Sequence, residues 1–182
     1  PISFLKYFPL ENLATNVSNK FVSDKQKSYR QDNRTNTENR HYQFFVQLLE
    51  QFNKKTKLFS TISPTSSHYV YVSARKSGLQ WGLVIYKAKD TGSICLRLSL
   101  KDKNLNWNRC KILESNKRQI EEAFGKQLRW DFREGRAEQF IYSDTEIGGL
   151  NNDENWSEIQ IDMVDRLIKL EKVLRSYLNK LP

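Results

Sequence analysis

Three β-rich runs joined by connections too short for a crossover constrain this chain more than any other feature. His68 to Ala74, Gln80 to Lys87 and Ser93 to Leu100 are punctuated by Lys76-Ser77-Gly78 and Asp90-Thr91-Gly92. Parallel strands need a connection of about a dozen residues or more, so these runs must return on themselves as an antiparallel meander. In the third run Ile94, Leu96, Leu98 and Leu100 alternate with Cys95, Arg97 and Ser99. One face is therefore buried, and Arg97 points to the other.

Helical periodicity flanks the meander. Tyr42, Phe45, Val46, Leu49 and Phe52 recur at three- and four-residue intervals and predict a helix ending near Asn53, followed by a Ser/Thr/Pro turn from Ser60 to Ser67. A second helix is expected from about Asn106 to Phe124, with Trp107, Cys110, Leu113, Ile120 and Phe124 on one stripe and Gly125 as its left-handed terminator. Two short strands come next. Leu128, Trp130 and Phe132 alternate with polar residues, and Ala137 to Ser143 pairs with them across the turn Arg133-Glu134-Gly135-Arg136. A last helix from about Trp156 to Leu178 carries Ile159, Met163, Leu167, Leu170, Leu174 and Tyr177 on its apolar stripe. Asn155 resembles a capping-box start, and Asp162 with Arg166 and Asp165 with Lys169 are spaced as i,i+4 pairs. The expected class is α+β: a five-stranded antiparallel sheet with helices on one side, in the order α-βββ-α-ββ-α. Its other face is left open.

At 182 residues the chain suits one domain. That domain is expected to span 41–182, preceded by a polar lead-in or linker over 1–40, partly flexible. Within the lead-in, an apolar group (Ile2, Phe4, Leu5, Tyr7, Phe8, Leu10, Leu13) precedes a stretch from Asn16 to Arg40 with too little apolar area to offset the entropy of ordering it. The chain opens on Pro rather than Met, and a piece of a longer polypeptide is expected. No apolar run approaches the roughly 20 residues that span a bilayer. Two cysteines, Cys95 and Cys110, lie outside any close Cys/His group, and reduced thiols in a cytoplasmic protein are the reading preferred over a disulfide.

The net charge is +9, and it is unevenly spread. Residues 17–60 carry nine Lys or Arg against four acids, residues 75–136 fifteen against seven, and residues 137–182 five against nine. An anionic partner is one explanation; solvation of strand edges and helix faces is the plainer one. Arg75, Lys76, Lys87, Lys89, Arg97, Lys101, Lys103 and Arg129 fall on the expected strands or at their ends, close in sequence to Tyr69, Tyr71, Trp81 and Tyr86. Cations interleaved with aromatics can contact phosphates and stack on bases, although strand aromatics more often belong to the core.

Several chemistries lack their residues. No acid-x-Lys triplet occurs, so a metal-dependent nuclease of that type is unsupported, and the nearest imitations, Asp131-Phe132-Arg133 and Glu134-Gly135-Arg136, run into a turn. His41 and His68 are the two histidines, outside any metal-ligand spacing and suited to cap or rim positions. No phosphate-binding glycine fingerprint is present. No cofactor, no metal and no catalytic residue is expected from this chain.

The run Lys76-Ser77-Gly78-Leu79-Gln80-Trp81-Gly82-Leu83-Val84-Ile85, the segment Ile120-Glu121-Glu122-Ala123-Phe124-Gly125 with Leu128 and Trp130, and Trp156 with Ile159 through Leu170-Glu171-Lys172-Val173-Leu174-Arg175 resemble the uncharacterised family called domain of unknown function 4268. The resemblance covers roughly His41 to Leu178. It implies a bacterial protein in which such a domain follows a nuclease-like or defence-associated domain, although a fold and a neighbourhood do not fix a function. On that pattern an upstream domain is expected outside these 182 residues, and the lead-in from Asn16 to Arg40 is longer than the family pattern. Two functions are expected from all of this. The first is a non-catalytic module that binds DNA or RNA in a bacterial defence or restriction-like protein. The alternative is a protein-interaction or dimerisation domain, with a homodimer as one form, that positions an upstream nuclease-like domain of the same protein.

Overall fold

The computed structural model describes residues 35–182. The expected apolar group at residues 2–13 and most of the polar stretch 16–40 lie outside the described residues. The chain divides between Asn39 and Arg40, and the architecture that follows is that of the second unit.

Helix α1 spans Asn36–Lys55 and starts earlier than its apolar stripe implied. Its first turn is a capping box: the Glu38 amide donates to Thr35 Oγ1 at 3.3 Å, and the Thr35 amide donates to Glu38 Oε2 at 2.7 Å. Two orphan donors are satisfied reciprocally, so the polar lead-in becomes helical before any apolar residue appears. The buried face also differs from the expected one. Phe44, Phe45, Leu48, Leu49 and Phe52 are buried, whereas Tyr42 and Val46 flank them half-exposed.

The strands are β1 (Tyr69–Ser73), β2 (Leu79–Tyr86), β3 (Thr91–Ser99), β4 (Arg129–Asp131) and β5 (Glu138–Asp144). They form one five-stranded antiparallel sheet in the order β1-β2-β3-β5-β4, in agreement with the expected meander and second hairpin. Helix α2 is Lys103–Glu114, α3 is Lys117–Phe124 and α4 is Trp156–Lys180, preceded by a 3-10 turn at Asp153–Asn155. The single helix expected from Asn106 to Phe124 is thus two. At the break, Asn116 Nδ2 donates to the Ile112 carbonyl at 2.7 Å and Ser115 Oγ donates to the same carbonyl at 2.9 Å. Those side chains take over an acceptor that would otherwise serve the helix ladder, and a new helix begins. Asp102 caps α2 by accepting from the Asn104 and Leu105 amides, and Gly125 closes α3 with φ of 78° as expected.

Strand alternation sorts the sheet into two faces. Leu79, Trp81, Leu83 and Ile85 of β2, Ile94, Leu96 and Leu98 of β3, and Ile141 of β5 point into one core with Phe44, Phe45, Leu48 and Phe52 of α1 and Ile159, Met163, Leu167, Leu170 and Leu174 of α4. Each fully buried aliphatic or aromatic side chain there contributes about 1.5–3 kcal/mol. Asp162 pairs with Arg166 at 2.5 Å as its spacing implied. Asp165, however, reaches Lys55 of α1 at 2.5 Å rather than Lys169. Asn155 makes no side-chain cap, so the expected capping box at α4 is absent and the 3-10 turn leads the chain in. Among the described residues no helix is long and apolar enough to cross a membrane.

Candidate nucleic-acid interface

The turn between β1 and β2 gathers charge at one end of the sheet. Ser73 Oγ accepts from the Arg75 amide at 3.1 Å, and the Leu79 amide donates to the Lys76 carbonyl at 3.1 Å, closing the turn. Gly78 takes φ of 75°, as the Lys-Ser-Gly sequence implied, and Arg75 takes φ of 61°. A left-handed conformation is natural for glycine and uncommon for arginine. Lys76 Nζ donates to the Leu178 carbonyl at 3.1 Å and also to the Leu181 carbonyl, so it closes the end of α4, where unsatisfied carbonyls and the negative end of the dipole favour a cation.

A cleft of about 450 Å³ opens between this turn, the segment after α1 and the last turns of α4. Lys57, Arg75, Lys76 and Arg175 line it together with Thr56, Ser73 and Trp81, and among the described residues Glu171 is the one carboxylate in its wall. Arg175 forks onto Glu171 with bonds of 2.7 and 2.6 Å. Lys57 and Arg75 are exposed. A second hollow of about 620 Å³ shares Ser73, Arg75 and Lys76 with the first and takes in Gln80 and Ser99 on the sheet face that carries no helix among the described residues.

That face is a layer of rings lying over small residues. The register places Tyr71, Gly82, Cys95, Tyr142 and Arg129 in one row across all five strands. A Cβ on Gly82 would sit 2.4 Å from the Tyr71 ring and 2.6 Å from Cys95 Sγ, so glycine is what lets that ring lie down on the sheet. Phe140 and Tyr142 are stacked, 5.1 Å between centroids and 17° apart in plane. Together with Val84 and Cys95 they form a second small apolar cluster under Tyr71 and Tyr86. Two arginines cover the rings. Arg97 lies 4.9 Å from the Tyr71 centroid and Arg129 lies 4.0 Å from that of Tyr142. Both guanidiniums are also paired: Arg97 with Glu138 and, at 2.6 Å, with Gln80 Oε1, and Arg129 with Asp144 at 2.9 Å. A hollow of about 280 Å³ on this face is lined by His68, Tyr69, Tyr71, Tyr86, Arg97 and Glu138, with Val84 and Tyr142 beneath.

The titration behaviour follows from the packing. Burial raises the pKa of the Tyr71 and Tyr142 phenols, and a hydrogen bond with Tyr86 adds to the effect at Tyr142. Burial also pushes the Cys95 thiol up to about 12. At Asp144 burial acts to raise the pKa, but hydrogen bonds from Arg129 and Ser93 outweigh it and hold the carboxyl below its usual value. The face is thus neutral at its rings and charge-balanced at its arginines.

The eight expected cations therefore do not share one place. Arg75 and Lys76 line the cleft, and Lys101 and Lys103 follow β3 at that same end. Lys87 and Lys89 sit in the turn between β2 and β3 at the opposite end, where Lys89 Nζ lies 5.7 Å from the Tyr86 centroid. Arg97 and Arg129 lie on the sheet face and are neutralised. Trp81, grouped in the sequence with the surface aromatics, is only 2% exposed and belongs to the core, because it alternates in phase with Leu79 and Leu83. Lys57 and Arg175 escaped the sequence reading, since one follows a helix and the other lies on a face assigned to helix solvation. Phe140 and Tyr142 were legible in principle: they alternate with Ile141, which places them with Arg97.

His41 lies inside α1 rather than at its start, and its Nδ1 is 3.2 Å from the Ser66 carbonyl. Asp131 pairs with Arg136 at 3.1 Å and Arg133 at 3.6 Å, while Glu134 is exposed in the turn. Among the described residues no group of three or more His, Cys, Asp or Glu side chains is placed to hold a metal ion.

No curated protein and no solved structure matches the chain. The family described as Domain of unknown function (DUF4268) does match, over residues 40–178, which takes in every strand of the sheet and all but the ends of α1 and α4. The chain belongs to that family.

Proposed function

We propose that this domain is a non-catalytic nucleic-acid-binding module, part of a bacterial defence or restriction-like protein working in the cytoplasm. The observation that carries the reading is that Lys57 and Arg75 stand exposed beside one cleft. Its wall also holds Lys76, bound to the carbonyls that end α4, and Arg175, paired with Glu171, the one carboxylate there among the described residues. Cations held this close raise a local positive potential that attracts a polyanion and steers its approach. Each phosphate they neutralise releases condensed counterions, so affinity falls with salt. The strained backbone at Arg75 supports the same reading, because a residue kept in a costly conformation at a cleft is more readily explained by its side chain than by its backbone. The bacterial and defence setting rests on the family resemblance, and the cytoplasmic one on two free buried thiols, Cys95 and Cys110, which suit a reducing compartment.

Fluorescence anisotropy of labelled oligonucleotides against the full chain tests this. Binding in the micromolar range at low salt is expected, with a log-log salt slope of about −1.5 to −2 for the two phosphates that Lys57 and Arg75 can meet. Lys57→Ala combined with Arg75→Ala should reduce both affinity and slope. Absence of binding at low salt contradicts the reading.

A second reading has its own observation. Among the described residues no strand pairs with the edge of β1 away from β2, and Tyr69 on that strand is 44% exposed. An open edge can accept a strand from a partner, which suits an interaction or dimerisation domain that positions an upstream nuclease-like domain. Light scattering that finds a strict monomer, unchanged by the longer protein, counts against it.

A further inference from the structure

We propose that the sheet face on which no helix packs among the described residues makes this module selective for single-stranded over duplex nucleic acid, an inference that rests on the nucleic-acid reading above. The basic hollow at the turn between β1 and β2 and the ring layer are neighbours on this face, separated by one paired side chain: Ser73, Gln80 and Ser99 line the hollow, and Gln80 bonds to Arg97, which lies over Tyr71. Beyond Arg97 come Tyr71, Tyr86, Tyr69 and His68, which wall the next hollow along the same face. The path follows β2 from Leu79 to Tyr86, about 24 Å at ~3.4 Å per residue. At its far end stands Lys89, against the Tyr86 ring. Cations thus mark both ends of the path, and aromatic rings fill its middle.

This division of labour fits one kind of occupant. The arginines of the middle are already paired, Arg97 with Glu138 and Arg129 with Asp144, so the ring layer offers little to phosphates. What it offers is ring surface at its margin, Tyr69 being the one exposed tyrosine among the described residues. A duplex presents phosphates outward and hides its base faces in the stack, so it can use the basic end only. A single strand can lay its phosphates beside the exposed Arg75 and turn its bases onto Tyr69 and Tyr86, as stacking platforms do elsewhere, while Tyr71 stays covered by Arg97. Sequence preference is expected to be weak, because every base has a face to stack.

The test compares a labelled 12-nucleotide oligothymidine with a blunt duplex of equal length, on the full chain and on Tyr69→Ala, Tyr86→Ala, Tyr71→Phe and Arg75→Ala, with circular dichroism as the fold control. The single strand is expected to bind about ten-fold tighter than the duplex. Tyr69→Ala and Tyr86→Ala should each weaken the single strand about ten-fold and leave the duplex alone. Tyr71→Phe, which keeps the ring, should bind as the parent does, and Arg75→Ala should weaken both ligands. Equal affinity for the two ligands with the tyrosine variants silent overturns the inference while leaving the nucleic-acid reading intact. Binding of neither ligand overturns both. A dimer in light scattering that Tyr69→Ala disperses, with no effect of that change on the oligonucleotide, reassigns the face to protein contact and overturns the inference.

Discussion

Arg97 lies 4.9 Å from the centroid of the Tyr71 ring. The ring can be there because residue 82 beneath it has no side chain, and the guanidinium stays there because Gln80 and Glu138 hold its edge. One strand position thus sets the height of the aromatic layer, and one ion pair sets the charge above it.

Gly82→Val is the direct probe of that layer. The new Cβ would fall 2.4 Å from the Tyr71 ring and 2.6 Å from Cys95 Sγ, a distance real atoms do not adopt. The ring must lift or the strands must shift, at a cost of about 1–3 kcal/mol for an overpacked site. Urea denaturation should show the unfolding free energy falling by that amount through a lower midpoint at an unchanged slope; an unaffected midpoint would mean that the ring does not lie on Gly82.

Arg75 gives a prediction in which stability and binding part company. Its φ of 61° costs an L-residue about 1–2 kcal/mol, which glycine avoids at some expense in unfolded-state entropy. Arg75→Gly is therefore expected to leave the denaturation midpoint equal or slightly higher while lowering oligonucleotide affinity. A clear loss of stability would show that the arginine serves the turn and not the cleft.

Much of this fold was legible because its signals are local. Gly-containing connections forced the meander, and Ile94, Leu96 and Leu98 alternating with Cys95 and Arg97 fixed which face is buried. What escaped was set by side chains acting on the backbone. Thr35 and Glu38 start α1 within a polar stretch, and Ser115 and Asn116 divide the second helix by bonding to the Ile112 carbonyl. Neither event leaves a mark on hydrophobic periodicity. The site was harder still. Its cations come from the segment after α1, from a hairpin turn and from the end of α4, so Lys57, Arg75 and Arg175 meet only in three dimensions. Charge count suggested eight residues, and Arg97 and Arg129 turned out to be paired with Glu138 and Asp144, which no one-dimensional reading of cations could foresee.

Acid should act through Asp144. Its folded pKa is depressed, so it contributes stability at pH above its ordinary carboxylate pKa, and that contribution is lost as the pH falls through the depressed value. In Arg129→Gln the burial that opposes ionisation loses its strongest counterweight, and the carboxyl pKa must rise. Acid unfolding followed by circular dichroism should move to higher pH in the variant; an unmoved midpoint would mean that the Arg129 pair is not what holds the carboxylate.

The thiols offer a check on the packing of both faces. Burial pushes Cys95 up to about 12, and burial with the nearby Glu114 carboxylate does the same for Cys110. Since the thiolate is the reactive form, neither should react with an aromatic disulfide reagent at neutral pH in the native protein, and both should react in guanidinium. Rapid native labelling of either would contradict the burial.

The most direct measurement of the central claim is a nitrogen-15 NMR titration with a single-stranded oligonucleotide at low salt. Amide shifts are expected at Ser73 to Gly78 and along Tyr69, Tyr71 and Tyr86, weakening as salt is added, while Lys117 to Phe124 of α3 stay still. Shifts confined to α3, or none anywhere at saturating ligand, would contradict the account.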